Sequence, residues 1–106
     1  MIFANVTTRI DELATQEDER GLYEATVALL NEIELSCAFY LDGQFGGYSG
    51  KLARAFLEDI LGSVERNERL LSCAQNAVHK PDTFECIRKF CSKHKKSWKG
   101  LQNPSA

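Results

Sequence analysis

Hydrophobic residues recur along much of this chain at intervals of three and four positions, which is the spacing of one face of an α-helix. The longest regular segment extends from about Gln16 to Leu41. Four glycines between Asp42 and Gly50 interrupt the pattern, and they predict a turn because glycine costs stability inside a helix. The inward positions of the helix, which fall within about 80° of one another, are Leu22, Thr26, Leu29, Leu30, Ile33, Cys37 and Tyr40.

A second long helix is predicted after this turn. Ser49 is a suitable N-cap, and the helical spacing continues to about Val78. Gly62 lies in the middle of this helix, where it indicates a bend or a close contact with another helix. The positions predicted to face the core are Leu52, Ala53, Phe56, Leu57, Ile60, Val64, Leu71, Ala74 and Val78.

Two shorter helices are predicted, one toward each end of the chain. The first runs from about Asn5 to Thr15. The last runs from Thr83 to about Trp98, and Asp82 with Glu85 forms a capping pair at its start. The stripe predicted to be buried on this last helix is Phe84, Ile87, Cys91, His94 and Trp98.

These elements predict an all-α fold, a small antiparallel helical bundle in which a long central hairpin is flanked by two shorter helices. The whole chain, residues 1–106, forms one helical domain, with residues 100–106 as a flexible end. Each long helix would extend about 40 Å, which is long for a chain of this size. The flanking helices would then leave part of the hairpin uncovered, so we expect a homodimer.

Charge is unevenly distributed, although the net charge is only −2. Residues 1–79 contain six Lys or Arg and thirteen Asp or Glu, whereas residues 80–106 contain seven and two. The last helix should therefore present a basic face, composed of Arg88, Lys89, Lys93, Lys95, Lys96 and Lys99. Such a face can bind the phosphates of a nucleic acid, so a nucleic-acid-binding regulator is a possible but less favoured function.

The sequence predicts a cytoplasmic protein without a membrane span, because no apolar run approaches the required length of about 20 residues and no signal peptide is visible. The cysteines should then be reduced. Cys73 lies off the apolar face of its helix, so it is predicted to be the most accessible thiol and the candidate reactive one. A cysteine-based redox or metal-responsive protein is accordingly a second alternative.

Neither an enzyme nor a metal or cofactor site is predicted. Cys91 and His94 lie three residues apart, but no paired set of four zinc ligands is present. Neither His79 nor His94 belongs to a recognisable nucleophile motif. The glycine-rich segment 43–50 follows a helix and lacks the spacing of a phosphate-binding loop.

Several apolar residues lie outside the predicted core. Leu35 and Phe39 point about 140 to 180° away from the buried stripe of their helix, and the adjoining loop adds Phe45 and Tyr48. Aromatic side chains outside a core are typical anchors of protein interfaces. The favoured function is therefore a small regulatory or inhibitory module that binds another protein, whose identity the sequence leaves open.

Overall fold

The computed structural model describes residues 10, 12–13, 15–44, 46–79 and 83–102. These residues form helices and turns and contain no strand, which confirms the predicted all-α fold. The elements are α1 (Glu19–Leu41), α2 (Gly47–Arg66), α3 (Glu68–Ala77), α4 (Glu85–Lys93) and a 3-10 helix (Lys99–Leu101). Most of the predicted first helix, Asn5 to Thr15, lies outside the described residues, although Ile10 is helical and buried.

α1 is the central element, and it packs against α2, α3 and α4. Its first turn is capped by Asp18, whose carboxylate accepts a hydrogen bond from the Gly21 amide at 3.1 Å. The predicted stripe is buried from Leu22 to Cys37, and Tyr40 is half-buried against the core. The sequence pattern therefore identified this helix and its buried face correctly.

The prediction of a second long helix is wrong, because the segment from Ser49 to Val78 contains two helices. Asn67 ends α2 and begins α3 with an extended backbone, at φ −101° and ψ 112°. Its side-chain Oδ1 accepts hydrogen bonds from the amides of Arg69 and Leu70, both at 3.1 Å. The helix therefore ends at Asn67, which caps the next helix. The bend was expected at Gly62, five residues earlier.

The C-terminal segment also differs from the prediction. α4 ends at Lys93, because Lys95 adopts the left-handed conformation with φ 53°. Trp98 is therefore not on the helix, but its ring is buried and its Nε1 donates a hydrogen bond to the Leu61 carbonyl at 2.7 Å. Gly100, assigned above to a flexible end, is buried within the 3-10 helix, and residues 103–106 lie outside the described residues.

The break at Asn67 makes the described part of the chain more compact than two long helices would allow. The radius of gyration is 13.3 Å, close to the value of about 13 Å expected for one compact domain of this length. The length of the hairpin therefore no longer argues for a homodimer. No described helix is both long and apolar enough to cross a membrane.

Candidate protein-binding surface

Five large apolar side chains are exposed on α1 and α2, on either side of the turn that connects these helices. Between 37% and 77% of the surface of each is accessible. They recur every four residues, two on the C-terminal half of α1 and three on the N-terminal half of α2, so each set follows one face of its helix. These residues, which we call the apolar patch, are Leu35, Phe39, Tyr48, Leu52 and Phe56.

The structure places three of the four predicted anchor residues in this patch. Leu35 and Phe39 are exposed on the side of α1 away from its buried stripe, and Tyr48 is exposed in the first turn of α2. Phe45 lies outside the described residues. The sequence therefore predicted the part of the surface that α1 contributes, which depends only on the phase of one regular helix.

Leu52 and Phe56 were wrongly assigned to the core face, and Leu61 was omitted from it although it is buried. The reason is a tertiary contact made by the C-terminal segment. Trp98 donates a hydrogen bond to the Leu61 carbonyl and covers that flank of α2, whereas Leu52 and Phe56, on the other flank, are exposed. The apolar spacing of α2 alone cannot show which flank the C-terminal segment will cover.

Carboxylates accompany the apolar patch on both helices. Glu32 lies three residues before Leu35, and Asp59 lies three residues after Phe56, so each shares a helix face with the apolar residues. Asp42 follows α1 directly and is exposed. No Lys, Arg or His occurs between residues 21 and 50. The surroundings of the patch on α1 are therefore acidic.

The six basic residues predicted on the last helix do not form one helical face. Lys89, Lys93 and the half-buried Arg88 belong to α4, whereas Lys95, Lys96 and Lys99 follow its end. Because α4 is shorter than predicted, the positive charge is divided between a helix and an irregular segment.

Several of these cations already have partners within the chain. Lys89 pairs with Glu85 at 3.2 Å, and Lys96 pairs with Glu58 at 3.6 Å. The Nζ of Lys93 lies 5.2 Å from the centre of the Tyr40 ring. These are exposed, weak interactions, so they leave the lysines accessible to an anionic partner but offer it no preformed binding site.

Cys73 is buried, so the prediction that it is the most accessible thiol is wrong. Cys86 is the one cysteine of the four that is half-buried. Burial raises the pKa of all four thiols, most strongly at Cys37. They therefore remain protonated at neutral pH, and a protonated thiol is a weak nucleophile. In the described part of the chain no three His, Cys, Asp or Glu side chains are placed to hold a metal ion.

His94 packs as an aromatic ring at the end of α4. Its centre lies 4.9 Å from that of Phe90 and 5.5 Å from that of Tyr40. Its Nε2 is buried and has no hydrogen-bond partner among the described residues. Burial, together with the charge of Arg54, lowers the pKa of His94. The ring is therefore neutral at pH 7 and contributes to packing.

Comparison of the chain with models of known protein families, with curated proteins and with solved protein structures found no match. The most distinctive feature of the chain's surface is the apolar patch beside the acidic groups of α1 and α2.

Proposed function

We propose that this protein is a small regulatory or inhibitory module that acts by direct contact with a partner protein through the apolar patch. The observation that carries the proposal is the exposure of five large apolar side chains at helical spacing on two adjoining helices. Isolated exposed apolar residues are common on proteins, but a contiguous apolar surface is typical of an interface.

The apolar patch is contiguous if α1 and α2 run antiparallel, an arrangement that the short connection between Leu41 and Gly47 favours. The contacts of the C-terminal segment are compatible with the same arrangement. α4 binds one flank of α1 at Glu34, and Trp98 binds one flank of α2 at Leu61. In an antiparallel pair those two flanks lie on the same side.

The apolar residues occupy the opposite flank of each helix. Phe39 is rotated by about 140° from Glu34 on α1, and Phe56 is rotated by about 140° from Leu61 on α2. In that arrangement, one side of the helix pair would be covered by the C-terminal segment, and the other would carry the apolar patch. A partner that covered Phe39 and Phe56 would remove two aromatic side chains from water, each contributing up to about 2 kcal/mol.

In the absence of the partner, we expect the protein to form a homodimer. Two copies can cover each other's apolar patch, and we expect this association at micromolar concentrations. The partner would then compete with the second copy for the same side chains.

Nucleic-acid binding is the alternative, favoured by the five exposed lysines between Lys89 and Lys99. It predicts a different dependence on salt. Contacts with phosphates weaken steeply as salt is added, whereas an interface centred on aromatic side chains changes little.

The test is capture from native lysate on immobilised protein, with the amount of each retained protein quantified. Wild type and a Lys89→Gln control should retain the same partner in stoichiometric amounts. Phe39→Ala and Leu52→Ala should each reduce the affinity about 30-fold, equivalent to about 2 kcal/mol, and leave the helical spectrum unchanged.

Two results would refute the proposal. In the first, the folded Phe39→Ala and Leu52→Ala proteins retain the partner as well as wild type does. In the second, Lys89→Gln weakens capture more than the two apolar substitutions, and added salt abolishes it, which is the behaviour of a phosphate-binding surface.

A further inference from the structure

We propose that Cys73 is a site of covalent modification by low-molecular-weight disulfides, which enter a groove between α1 and α3 and leave one half attached to the thiol. This inference is independent of the apolar patch, because the groove lies beside the N-terminal half of α1. Three features support it: the groove itself, the unpartnered hydroxyl of Thr26 behind the thiol, and the less favourable surroundings of the other cysteines.

The groove is open to solvent and has a volume of about 410 Å³. Small-molecule sites have volumes of about 300 to 1,000 Å³, so the groove has room for a small disulfide and for the adduct that it leaves. An ion pair between Glu19 and Arg69, at 3.2 Å, connects the two helices here. Although only 8% of its surface is accessible, Cys73 is part of the groove wall. The lining includes Glu19 and Tyr23 of α1 and Arg69, Ser72, Cys73 and Asn76 of α3.

The Thr26 hydroxyl lies behind the Cys73 thiol. Thr26 is fully buried, and its Oγ1 has no hydrogen-bond partner among the described residues. A neutral thiol is a weak acceptor, whereas hydrogen bonds to a charged acceptor are strong. The hydroxyl would therefore gain a partner when Cys73 ionises, and its hydrogen bond stabilises the thiolate.

The groups around Cys73 shift its ionisation in both directions. Burial raises the pKa of Cys73, the Thr26 hydroxyl lowers it, Glu19 raises it and Arg69 lowers it. Because the net effect is a raised pKa, only a small fraction of the thiol is ionised at neutral pH. A thiolate of raised pKa is the stronger nucleophile once it forms, so modification should accelerate as the pH increases.

The reaction needs no oxidant other than the disulfide itself. The Cys73 thiolate attacks one sulfur of R–S–S–R, so that a Cys73–S–S–R bond forms and the original S–S bond breaks. The leaving R–S⁻ takes the electron pair of that bond and is protonated by solvent. Cys73 is thereby oxidised and the leaving half of the reagent is reduced, which gives one mixed disulfide and one free thiol.

The other three cysteines are less suitable for this reaction. Cys86 is half-buried, but its thiol is hydrogen-bonded to the Glu34 carboxylate, and burial together with the charge of Glu34 raises its pKa. Cys37 is fully buried. Cys91 is 4% exposed and lines a much smaller cavity of about 100 Å³. A thiolate at Cys86 would form beside a carboxylate, whereas one at Cys73 would form beside a hydrogen-bond donor.

The test uses the uncharged disulfide of mercaptoethanol as the reagent, added to the intact protein at several pH values. The mass of the protein gives the number of adducts over time, and peptide mapping without reduction locates them. We expect the first adduct at Cys73, formed at a rate that increases with pH. Cys73→Ser should abolish this first adduct, whereas the matched control Cys86→Ser should retain it.

Variants of Thr26 test whether its hydroxyl stabilises the thiolate. Thr26→Val removes the hydroxyl at nearly constant volume, so the pH–rate profile of Cys73 should shift upward by about one pH unit. At a fixed pH below the pKa, the thiolate fraction then falls about tenfold while its nucleophilicity rises about threefold, and the reaction slows about threefold. Thr26→Ser keeps a hydroxyl and should restore the wild-type profile, with the fold of both variants checked by circular dichroism.

Three results would overturn the inference. In the first, Cys86 is modified before Cys73 in the wild-type protein. In the second, the folded Thr26→Val protein keeps the wild-type pH–rate profile, which is the result expected if Thr26 contributes only to packing. In the third, dilute urea accelerates the reaction of Cys73 in proportion to the loss of stability, which would mean that the thiol reacts only after global unfolding.

Discussion

Asn67 determines where α2 ends, because its side chain binds the backbone amides of Arg69 and Leu70 and so begins a new helix. Replacing it with alanine removes both hydrogen bonds and favours a continuous helix. We expect Asn67→Ala to lower the free energy of unfolding by about 1 kcal/mol, measured by urea denaturation. Asn67→Ser, which keeps a capping oxygen, should lose much less.

Asn76→Ala is the control for this prediction, since Asn76 is an exposed residue within α3 and alanine favours the helix there. A loss of stability at Asn76 equal to that at Asn67 would mean that the cap contributes nothing specific.

His94 should make the stability of the protein depend on pH. Burial and the charge of Arg54 lower the pKa of His94 in the folded protein below the value of about 6.5 that it has when unfolded. The unfolded chain therefore binds the proton more readily, and stability must fall as the pH drops below about 6.5. We expect the urea midpoint to decrease between pH 7.5 and 5.5.

The His94→Gln variant should show a smaller decrease over this range, because the titrating group is gone. His79→Gln provides the comparison, since His79 is exposed at the end of α3. If His94→Gln kept the full pH dependence of wild type, another group would have to be responsible.

Among the helices, α4 depends most on contacts from elsewhere in the chain. It has only nine residues, and helices of this length are marginal in isolation. Its start is held by Glu34 of α1, whose two carboxylate oxygens accept hydrogen bonds from the amides of Cys86 and Ile87, both at 2.8 Å. A negative charge at this end also interacts favourably with the helix dipole.

We therefore expect Glu34→Ala to lower the free energy of unfolding by about 2 kcal/mol and to increase hydrogen exchange at the amides of Cys86 and Ile87. Glu24→Ala removes an exposed carboxylate of the same helix that pairs with the exposed Arg20, and it should have little effect. Unchanged exchange at both amides in Glu34→Ala would show that α4 forms without this contact.

The elements differ in how far the sequence predicts them. α1 was predicted well because its cap, its apolar stripe and its glycine-rich end all lie within one segment. The start of α4 was not, because Glu34 is more than fifty residues away from the amides it binds. The local pair Asp82 and Glu85 resembled a capping box, whereas the residue preceding α4 is Phe84, in the left-handed conformation with φ 56°.

The same distinction applies to the candidate binding surface. Leu35 and Phe39 were predicted from the phase of α1 alone. The exposure of Leu52 and Phe56 depends on the position of Trp98, which covers the other flank of α2. The spacing of apolar residues in α2 gives no information about that position. The acidic surroundings of the patch on α1 could be predicted, because residues 21–50 contain no Lys, Arg or His.

For the molecule as a whole, we predict a dimer at micromolar concentration whose stability increases with added salt. Two apolar patches facing each other would bring the carboxylates of Glu32, Asp42 and Asp59 toward those of the second copy, and salt screens this repulsion. Sedimentation at low and high ionic strength measures the effect. Phe39→Ala should give a monomer of 11.9 kDa.

Two results would contradict the predicted dimer. One is a monomer at every salt concentration in the micromolar range. The other is a dimer that weakens as salt is added, which would indicate association through opposite charges, as between the lysines of α4 and the acidic surface of α1.

The buried indole of Trp98 gives the protein an intrinsic optical signal, because it is the only tryptophan in the chain. Its emission therefore reports the attachment of one segment, the one that bonds to Leu61, and not an average over the fold. The ring of Trp98 also leaves no room for a Cβ at Gly100. A Gly100→Ala substitution should accordingly shift the emission to longer wavelength while the far-ultraviolet spectrum stays helical, so detachment of this segment could be followed separately from unfolding.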